Sequence, residues 1–311
     1  MATRRGRTRS LVAAVTLLVC AGGAGLAARY QDRIRGGVDL VSLHVTVMDS
    51  GRYVTDLTQE DFQIFEDGIP QDLTFFARGE SPIALAVLID TSASMEQSLA
   101  TAQEAAIGFA RRMRPGDIME VVEFSGTVNI IQTFTSDGAA LEQAIRRTRA
   151  VGSTALYNAI YIALRSLQKA RVTGAEQIRR EASIVLSDGD DTSSLVSYDE
   201  VLDLARRSET AIYAIGLRAH EWQRREFKQA EFGLRQLSQQ TGGRAFFPTA
   251  VVELPKIYDQ IANELASQYA LGYVSKNALR NGAWRRLSVR IGRPGLIGRT
   301  RQGYFAPGSS G

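Results

Sequence analysis

A carboxylate and two hydroxyls stand two residues apart, directly after an apolar run. Asp90, Ser92 and Ser94 form a D-x-S-x-S pattern behind the stretch from Ile83 to Ile89. Alternate residues of an extended segment share a face, so the three side chains can converge as hard oxygen ligands for Mg²⁺ or another hard divalent cation. An ordinary helix N-cap, formed by Ser92 or Ser94, is the alternative interpretation.

Two later segments favour the metal site. Thr154 lies at the mouth of a predicted helix, and the apolar strand from Ser183 to Ser187 ends at Asp188. With these segments the chain resembles the von Willebrand factor type A (VWA) domain, whose metal-ion-dependent adhesion site combines D-x-S-x-S with a distant threonine and a distant aspartate. Ala93 departs from that pattern, because glycine is common there.

The resemblance implies a role for each site residue. Ser92, Ser94 and Thr154 would be hydroxyl ligands, and Asp90 and Asp188 would lie close to the ion, often acting through water. The expected ion is Mg²⁺, with Mn²⁺ or Ca²⁺ as alternatives. An acidic side chain of a partner protein would complete the coordination sphere, which would make the protein a binding module and not an enzyme.

Three further sequence motifs narrow the resemblance to one family of VWA-related proteins. They are Leu57–Gly68, Thr241-Gly242-Gly243-Arg244 and Gln268–Tyr273. These motifs are similar to those of a bacterial family found largely in acidobacteria, and the similarity covers roughly residues 38–306.

The elements that must position the site alternate between strand and helix. After the strand from Ile83, the pattern predicts a helix near 95–113, strands at 119–124 and 128–134, helices near 137–148 and 156–170, and the strand before Asp188. A capping box at Ser197–Glu200 opens the next helix, and a further helix is predicted near Phe232 to Gln240. The fold class is therefore α/β with a doubly wound, mostly parallel sheet, in which ligands bind at the carboxyl ends of strands where the strand order reverses.

Two β-rich segments flank this unit. Val41, Leu43, Val45 and Val47 alternate with polar residues, and Asp67-Gly68 and Asn281-Gly282 are hairpin signals. Because domain termini usually lie close together, we expect residues 38–80 and 268–306 to form one small β-rich module, with the VWA domain at 82–267 inserted into it.

The amino terminus has the layout of an export signal. Four arginines precede the apolar run from Leu11, and small residues follow to Ala28. Residues 1–28 are therefore a predicted signal peptide or uncleaved membrane anchor. The segment ending at Cys20 resembles a bacterial lipobox and could be lipidated at this cysteine, although Val19 replaces the small residue expected before it. The predicted location is periplasmic or cell-surface, with membrane contact only through this segment.

Charge excludes nucleic acid as a partner. The formal net charge of +4 comes entirely from the four arginines of residues 1–27, which contain no acids, so the remaining chain is neutral overall. The composition, 44% hydrophobic and 23% charged, is that of an ordinary globular protein.

Two other functions compete with metal-dependent binding. An aspartate after a buried strand is also the nucleophile of haloacid-dehalogenase-type phosphatases, but Ser92 stands where their second aspartate would act as acid and base. A structural envelope protein with a vestigial site is the other alternative. His44 is expected to be structural or exposed, Asp190 and Asp191 to be exposed turn residues, and Trp222 to pack on its own loop.

Overall fold

The computed structural model describes residues 40–79, 81–173, 179–188, 191–217 and 224–308. Within these ranges six α-helices are present: α1 (Leu99–Ala110), α2 (Gly138–Arg147), α3 (Leu156–Thr173), α4 (Tyr198–Arg207), α5 (Arg224–Thr241) and α6 (Leu254–Ala266). The strands of the central sheet are β6 (Ile83–Asp90), β7 (Ile118–Phe124), β8 (Val128–Thr135), β9 (Arg180–Ser187), β10 (Ala211–Gly216) and β11 (Ala245–Phe246).

The remaining strands come from the two flanking segments. The earlier segment supplies β1 (Leu40–Asp49), β2 (Arg52–Tyr53), β3 (Phe62–Glu66), β4 (Ile69–Gln71) and β5 (Leu73–Arg78). The later segment supplies β12 (Tyr269–Val274), β13 (Trp284–Ile291), β14 (Ile297–Arg299) and β15 (Gly303–Phe305). Among the described residues, those from Ser42 onward belong to one structural unit.

The central sheet has the order β11-β10-β9-β6-β7-β8, and only β8 pairs antiparallel to its neighbour. Strand β6 is buried along its whole length because helices cover both faces. Its odd-numbered residues, such as Val87, pack with α1, α2 and α6, whereas its even-numbered residues, such as Leu88, pack with α3, α4 and α5. The two-residue side-chain period thus divides one apolar run between two cores.

The chain reverses direction across the sheet at β6. It continues from β6 to β7 on one side, and β9 later pairs with β6 on the other side, with Ile89 opposite Leu186. The carboxyl ends of β6 and β9 are therefore neighbours at a topological switch point, where a ligand site is expected.

The flanking segments interleave in two antiparallel sheets. In one, β1 pairs with β14 and β5 pairs with β12; in the other, β3 pairs with β13. Val289 lies opposite Ile64, for example, although 225 positions of chain separate them. The predicted fold class, a doubly wound α/β unit with a β-rich module formed by both flanking segments, is confirmed.

The first hairpin prediction is confirmed at its turn. Asp67 and Gly68 have φ angles of 49° and 83°, and Glu66 pairs with Ile69 across the turn. The returning strand is short, however, because the chain leaves after Gln71 and enters the other sheet as β5.

The second hairpin prediction is wrong. Val274 and Trp284 are separated by a nine-residue loop, and β12 and β13 belong to different sheets. Gly282 does have a positive φ of 65°, but the Asn281 side chain accepts from the Ala283 amide and closes only a local turn. The dipeptide determined only the local backbone shape, because β12 pairs with β5 and β13 pairs with β3.

Two helix predictions differ in their bounds. The segment after Asp90 begins as a 3₁₀ helix over Ala93–Gln97 before α1 starts at Leu99, and α5 begins at Arg224, earlier than the predicted Phe232. The predicted signal or anchor at residues 1–28 lies outside the described residues. No described helix combines the length and apolar character that crossing a membrane requires.

Candidate functional site

The site is built where β6 and β9 end side by side. Asp90 is the last residue of β6, and Asp188 directly follows Ser187 at the end of β9. Both carboxyl groups are buried. Parallel pairing in this register brings two residues that are 98 positions apart to the same edge of the sheet.

Asp90 is fixed by hydrogen bonds to both of its oxygens. Its Oδ1 accepts from the Ser92 amide at 2.8 Å, and its Oδ2 accepts from the Ser187 hydroxyl at 2.5 Å. The following residue, Thr91, donates through its amide and its hydroxyl to the carbonyl of Phe124 on β7. The Asp90 carboxylate therefore has a fixed orientation at the base of the site.

A chain of hydroxyls connects the first loop to the second carboxylate. The Ser92 and Ser94 hydroxyls lie 3.0 Å apart, and the Ser94 hydroxyl donates to Oδ1 of Asp188 at 2.8 Å. Ser92 is buried, whereas Ser94 is exposed at the rim. Four of the five predicted site residues, Asp90, Ser92, Ser94 and Asp188, are thus joined through their own polar groups.

Thr154 is joined to the other two loops through the backbone of its segment. Gly152 accepts from the Ala93 amide at 3.0 Å, and the Val151 amide donates to Thr91 at 2.7 Å. On the other side, the Thr154 carbonyl accepts from the Thr192 amide at 2.8 Å. Thr154 is buried just before α3, so the structure brings its loop to the site without a direct side-chain bond to the other four residues.

Asp90 and Asp188 are buried without a basic partner among the described residues, and this burial raises the pKa of both carboxyl groups. Burial raises the pKa of Asp90 to about 6, although hydrogen bonds from Ser187 and Ser92 oppose the shift, and the charge of Asp188 raises it further. Burial also raises the pKa of Asp188, against the hydrogen bond from Ser94. Within the described ranges, no Lys, Arg or His nitrogen lies within 4.0 Å of either carboxylate.

This donor set fits a hard divalent cation. Two buried carboxylates and neutral hydroxyls are oxygen ligands of the kind that Mg²⁺ and Mn²⁺ prefer, and a bound cation would supply the counter-charge that both carboxylates lack. The described residues contain no group of three or more His, Cys, Asp or Glu side chains arranged for a metal, so this hydroxyl-rich site is of a different kind from a carboxylate or histidine cluster.

Sequence reasoning missed the residues that hold the loops. Ser187 orients Asp90, and Thr192 accepts from the Thr154 amide at 2.9 Å. Asn158 accepts from the amides of Leu195 and Val196, which ties the loop after Asp188 to α3. Ser187 carried one usable signal, since it is a hydroxyl at the end of an apolar strand beside a proposed ligand.

Asp191 is half-buried and not an exposed turn residue as predicted, because its side chain caps a helix. Its Oδ1 accepts from the Tyr157 amide in the first turn of α3, and from the Ser194 hydroxyl. The expectations for Asp190 and Trp222 fall outside the described residues. His44 lies on β1, far along the chain from the site loops, and burial with the nearby charges of Arg180 and Arg301 lowers its pKa to about 3.

The chain is similar to one known domain family and to a group of mycobacterial proteins. Residues 85–190 match the family model of the von Willebrand factor type A domain. A UPF0353 protein of Mycobacterium leprae is 24% identical over 226 residues, covering 66% of this chain and 65% of the relative. A UPF0353 protein of Mycolicibacterium paratuberculosis is 26% identical over 221 residues, covering 65% of each. The chain therefore spans just under two thirds of the length of these relatives. The relatives are mycobacterial, whereas the sequence motifs suggested a family found largely in acidobacteria.

Solved structures show the same fold. A von Willebrand factor type A protein from Catenulispora acidiphila superposes with a TM-score of 0.51 at 12% identity, over 88% of this chain and 74% of that one. Proximal thread matrix protein 1 from the mussel byssus gives a TM-score of 0.50 at 16% identity, over 65% of this chain and 51% of that one. At these identities the likeness supports the fold alone.

Proposed function

Because residues 85–190 form a von Willebrand factor type A domain, we propose that this protein binds a partner protein outside the cytoplasm through a divalent cation. Ser92, Ser94 and Thr154 would hold the ion with their hydroxyls, and Asp90 and Asp188 would stabilise it from close range. The ion would be Mg²⁺, with Mn²⁺ or Ca²⁺ as alternatives. An acidic side chain of the partner would complete its coordination.

One observation carries the proposal. The Ser94 hydroxyl joins the loop after β6 to Asp188 at the end of β9, while Ser92 lies within hydrogen-bonding distance of Ser94. Oxygens from distant parts of the chain therefore meet beside two buried carboxylates that have no basic partner among the described residues. Removing unpaired carboxylates from water is costly, and a divalent cation offsets that cost.

The charge balance supports an acidic partner. Two aspartates neutralise one divalent cation, and the three hydroxyl ligands add no charge, so the bound ion stays attractive to an incoming carboxylate. Mg²⁺ favours six oxygen ligands, more than these residues supply directly, and a partner oxygen or water would fill the remainder.

The surface around the site suits protein recognition. Val151 and Leu195 are exposed apolar residues on the loops that carry Thr154 and follow Asp188. Apolar side chains at the edge of a polar site can be covered by a partner, which adds burial energy to the metal contact.

The geometry does not favour hydrolysis. A phosphatase of the haloacid-dehalogenase type needs a second aspartate as acid and base two residues after its nucleophile, whereas this chain has Ser92 at that position, with its hydroxyl beside that of Ser94. We therefore assign Asp90 to ion binding. The basic and apolar amino-terminal pattern of residues 1–28 supports export, with cleavage or retention as an anchor.

Calorimetric titration of the full chain with Mg²⁺ and with Mn²⁺ tests the metal site. Asp90→Ala and Ser92→Ala should lose measurable binding, and Ser193→Ala is the matched control, because Ser193 lies in the same loop cluster and its hydroxyl accepts from Ser153. Unchanged affinity in both site variants would overturn the proposal.

A carboxylate probe tests the partner chemistry. In Mn²⁺-loaded protein, a short peptide with a central glutamate should displace water from the ion and reduce the water-proton relaxation enhancement, while the same peptide with glutamine should not. Equal effects of the two peptides would exclude carboxylate coordination. Hydrolysis of p-nitrophenyl phosphate that depends on Asp90 would favour the phosphatase alternative instead.

A further inference from the structure

A small cavity lies at the opposite edge of the central sheet, where β6, β9 and β10 begin. It has a volume of about 20 Å³ and is enclosed by residues of the sheet and of the β-rich module. Ile83, Arg180 and Ala211 line it from the sheet, and His44, Thr300 and Arg301 line it from the module. A cavity of this size accommodates a single water-sized occupant, because about 10 to 15 Å³ suffices for one.

Two of the sequence motifs, at 241–244 and 268–273, lie outside the metal site and contribute residues to this cavity. Thr241 and Gly242 line it, and so does Gln268. Gly242 has a φ of +81°, and a Cβ there would lie 2.6 Å from the Arg301 amide nitrogen. The glycine thus lets the end of α5 lie directly against the backbone that carries Thr300 and Arg301, which closes the cavity on this side.

Arg180 brings a buried positive charge to the wall. Its guanidinium donates to the carbonyls of Ser81 and Leu265 and to Oε1 of Gln268. All three acceptors are neutral. Burial lowers the pKa of Arg180, while the charge of Asp117 opposes that shift. The guanidinium nevertheless remains charged, because arginine does not lose its proton in proteins.

Arg301 brings a second buried charge. Its side chain is 12% exposed and donates to the Ser42 carbonyl at 2.8 Å. Its nearest carboxylate oxygen, on Glu209, is 3.7 Å away. That distance is beyond a hydrogen bond, so Glu209 only partly compensates the Arg301 charge.

The surrounding acids are engaged by a third arginine. Arg171 donates to Glu181 at 2.5 Å and to Glu209 at 3.2 Å, and the second Glu181 oxygen accepts from Thr210. Arg180 and Arg301 therefore share the cavity wall with Glu181 and Glu209, and both glutamates are hydrogen-bonded to Arg171, which does not line the cavity. His44 adds no positive charge, because burial and the charges of Arg180 and Arg301 lower its pKa to about 3.

Two groups at the cavity need a hydrogen-bond partner. In the part of the chain that the structure describes, Nε of Arg301 and the hydroxyl of Thr300 are shielded from solvent without one. Nε of a guanidinium can only donate, and a hydroxyl can donate as well. Buried donors without acceptors are costly, so an occupant that accepts from both would stabilise the fold.

We propose that this cavity is a binding site for one small monovalent anion, such as chloride, held between Arg180, Arg301 and Thr300. Two buried arginines whose hydrogen-bond acceptors are neutral, together with two unpartnered donors, favour an anion, and the volume excludes phosphate, sulfate and any larger ligand. The anion would join the start of the central sheet to the β-rich module. Its binding is independent of the proposed metal site.

Crystals of the full chain grown in sodium bromide test the site directly. Anomalous diffraction at the bromine edge should show a peak between Arg180 and Arg301. A second cavity of about 40 Å³, also lined by Arg180 but containing Asp117, is the internal control and should show none. A water molecule refined in the first cavity, with no anomalous peak, overturns the proposal.

Thermal unfolding provides the second measurement. Replacing sodium gluconate by sodium chloride at equal concentration should raise the melting temperature of the wild type by about 2 °C, because an anion that binds only the folded state stabilises it. Arg301→Gln should lose this increment. Arg286→Gln, at an exposed arginine away from the cavity, makes the same charge change and should keep it.

A milder variant serves if Arg301→Gln does not fold. Thr300→Val keeps both arginines and removes one donor, so it should reduce the chloride increment. Equal increments in the wild type and in whichever of these cavity variants folds would overturn the anion site.

Discussion

The Ser94 hydroxyl donates a hydrogen bond to Oδ1 of Asp188 at 2.8 Å, although 94 positions separate the two residues. This contact joins the loop after β6 to the end of β9 and places a neutral donor beside a buried carboxylate. When a cation is bound, both oxygens can turn to it as ligands. The pair therefore provides a direct test of the proposed metal site.

Ser94→Ala should lower the affinity for Mg²⁺ by about tenfold, because it removes a proposed hydroxyl ligand that is hydrogen-bonded to the buried carboxylate of Asp188. Calorimetry on the wild type, on Ser94→Ala and on Ser193→Ala measures the effect. Ser193→Ala should bind as the wild type does. Equal affinities in all three proteins would remove Ser94 from the site.

Ser187→Ala should weaken Mg²⁺ binding although Ser187 is not a proposed ligand. Its hydroxyl orients Asp90 through a 2.5 Å hydrogen bond. Losing a group that orients a metal-binding residue costs about 10- to 100-fold in metal affinity. The same titration measures this, and a wild-type affinity would mean that Asp90 is held in place without Ser187.

Asp90→Asn should have opposite effects with and without metal. In EDTA the variant should be more stable than the wild type by on the order of 2 kcal/mol, because it removes a buried carboxylate without a cationic partner. In millimolar Mg²⁺ only the wild type should gain stability. Urea unfolding in both buffers measures the difference, and a variant less stable than the wild type in EDTA would contradict this account.

Glu66 is expected to stabilise the β-rich module through a buried network. It accepts hydrogen bonds from Tyr273, Ser275, Tyr304 and Arg285. Burial raises the pKa of Glu66, but these hydrogen bonds and the charge of Arg285 lower it more, so the pKa lies below its usual value. Glu66→Gln leaves Arg285 without its carboxylate and should cost about 3 kcal/mol at pH 7.

The pH dependence of this loss has a defined sign. A depressed carboxyl pKa contributes stability that is present above the pKa of the unfolded state and is lost as the pH falls through the folded-state pKa. The difference in unfolding free energy between the wild type and Glu66→Gln should therefore shrink below about pH 4. Glu142→Gln is the control and should change stability little, since its partners Arg111 and Arg146 are exposed.

Gly243→Ala should destabilise the protein by about 3 kcal/mol or more, because backbone atoms cannot move aside as a flexible side chain can. A Cβ at this position would lie 1.9 Å from the Ile212 carbonyl oxygen. Gly138→Ala is the matched control, since a Cβ there meets no atom within 4 Å. Denaturant midpoints compare the two, and similar midpoints would show that the β10 backbone can shift.

The sequence by itself determined the local elements and the chemistry of the candidate site. Asp90, Ser92, Ser94 and Asp188 could be selected because they follow apolar runs that form buried strands, and the capping box at Ser197 formed as predicted, with Glu200 bonded back to it. These features depend on side-chain period and on neighbours a few residues away, which a single sequence contains.

Only the tertiary structure decided which distant segments meet. The loop with Asn281-Gly282 looked like a hairpin, yet β12 pairs with β5 and β13 with β3. The sequence assigned no role to Ser187, and only the pairing of β9 with β6 brings its hydroxyl to Asp90. Arg180 and Arg301 share a cavity because Gly242 permits a close approach of the backbone. Strand pairing and burial are chosen by the competition of all segments for partners, so their outcome depends on contacts that local sequence patterns do not contain.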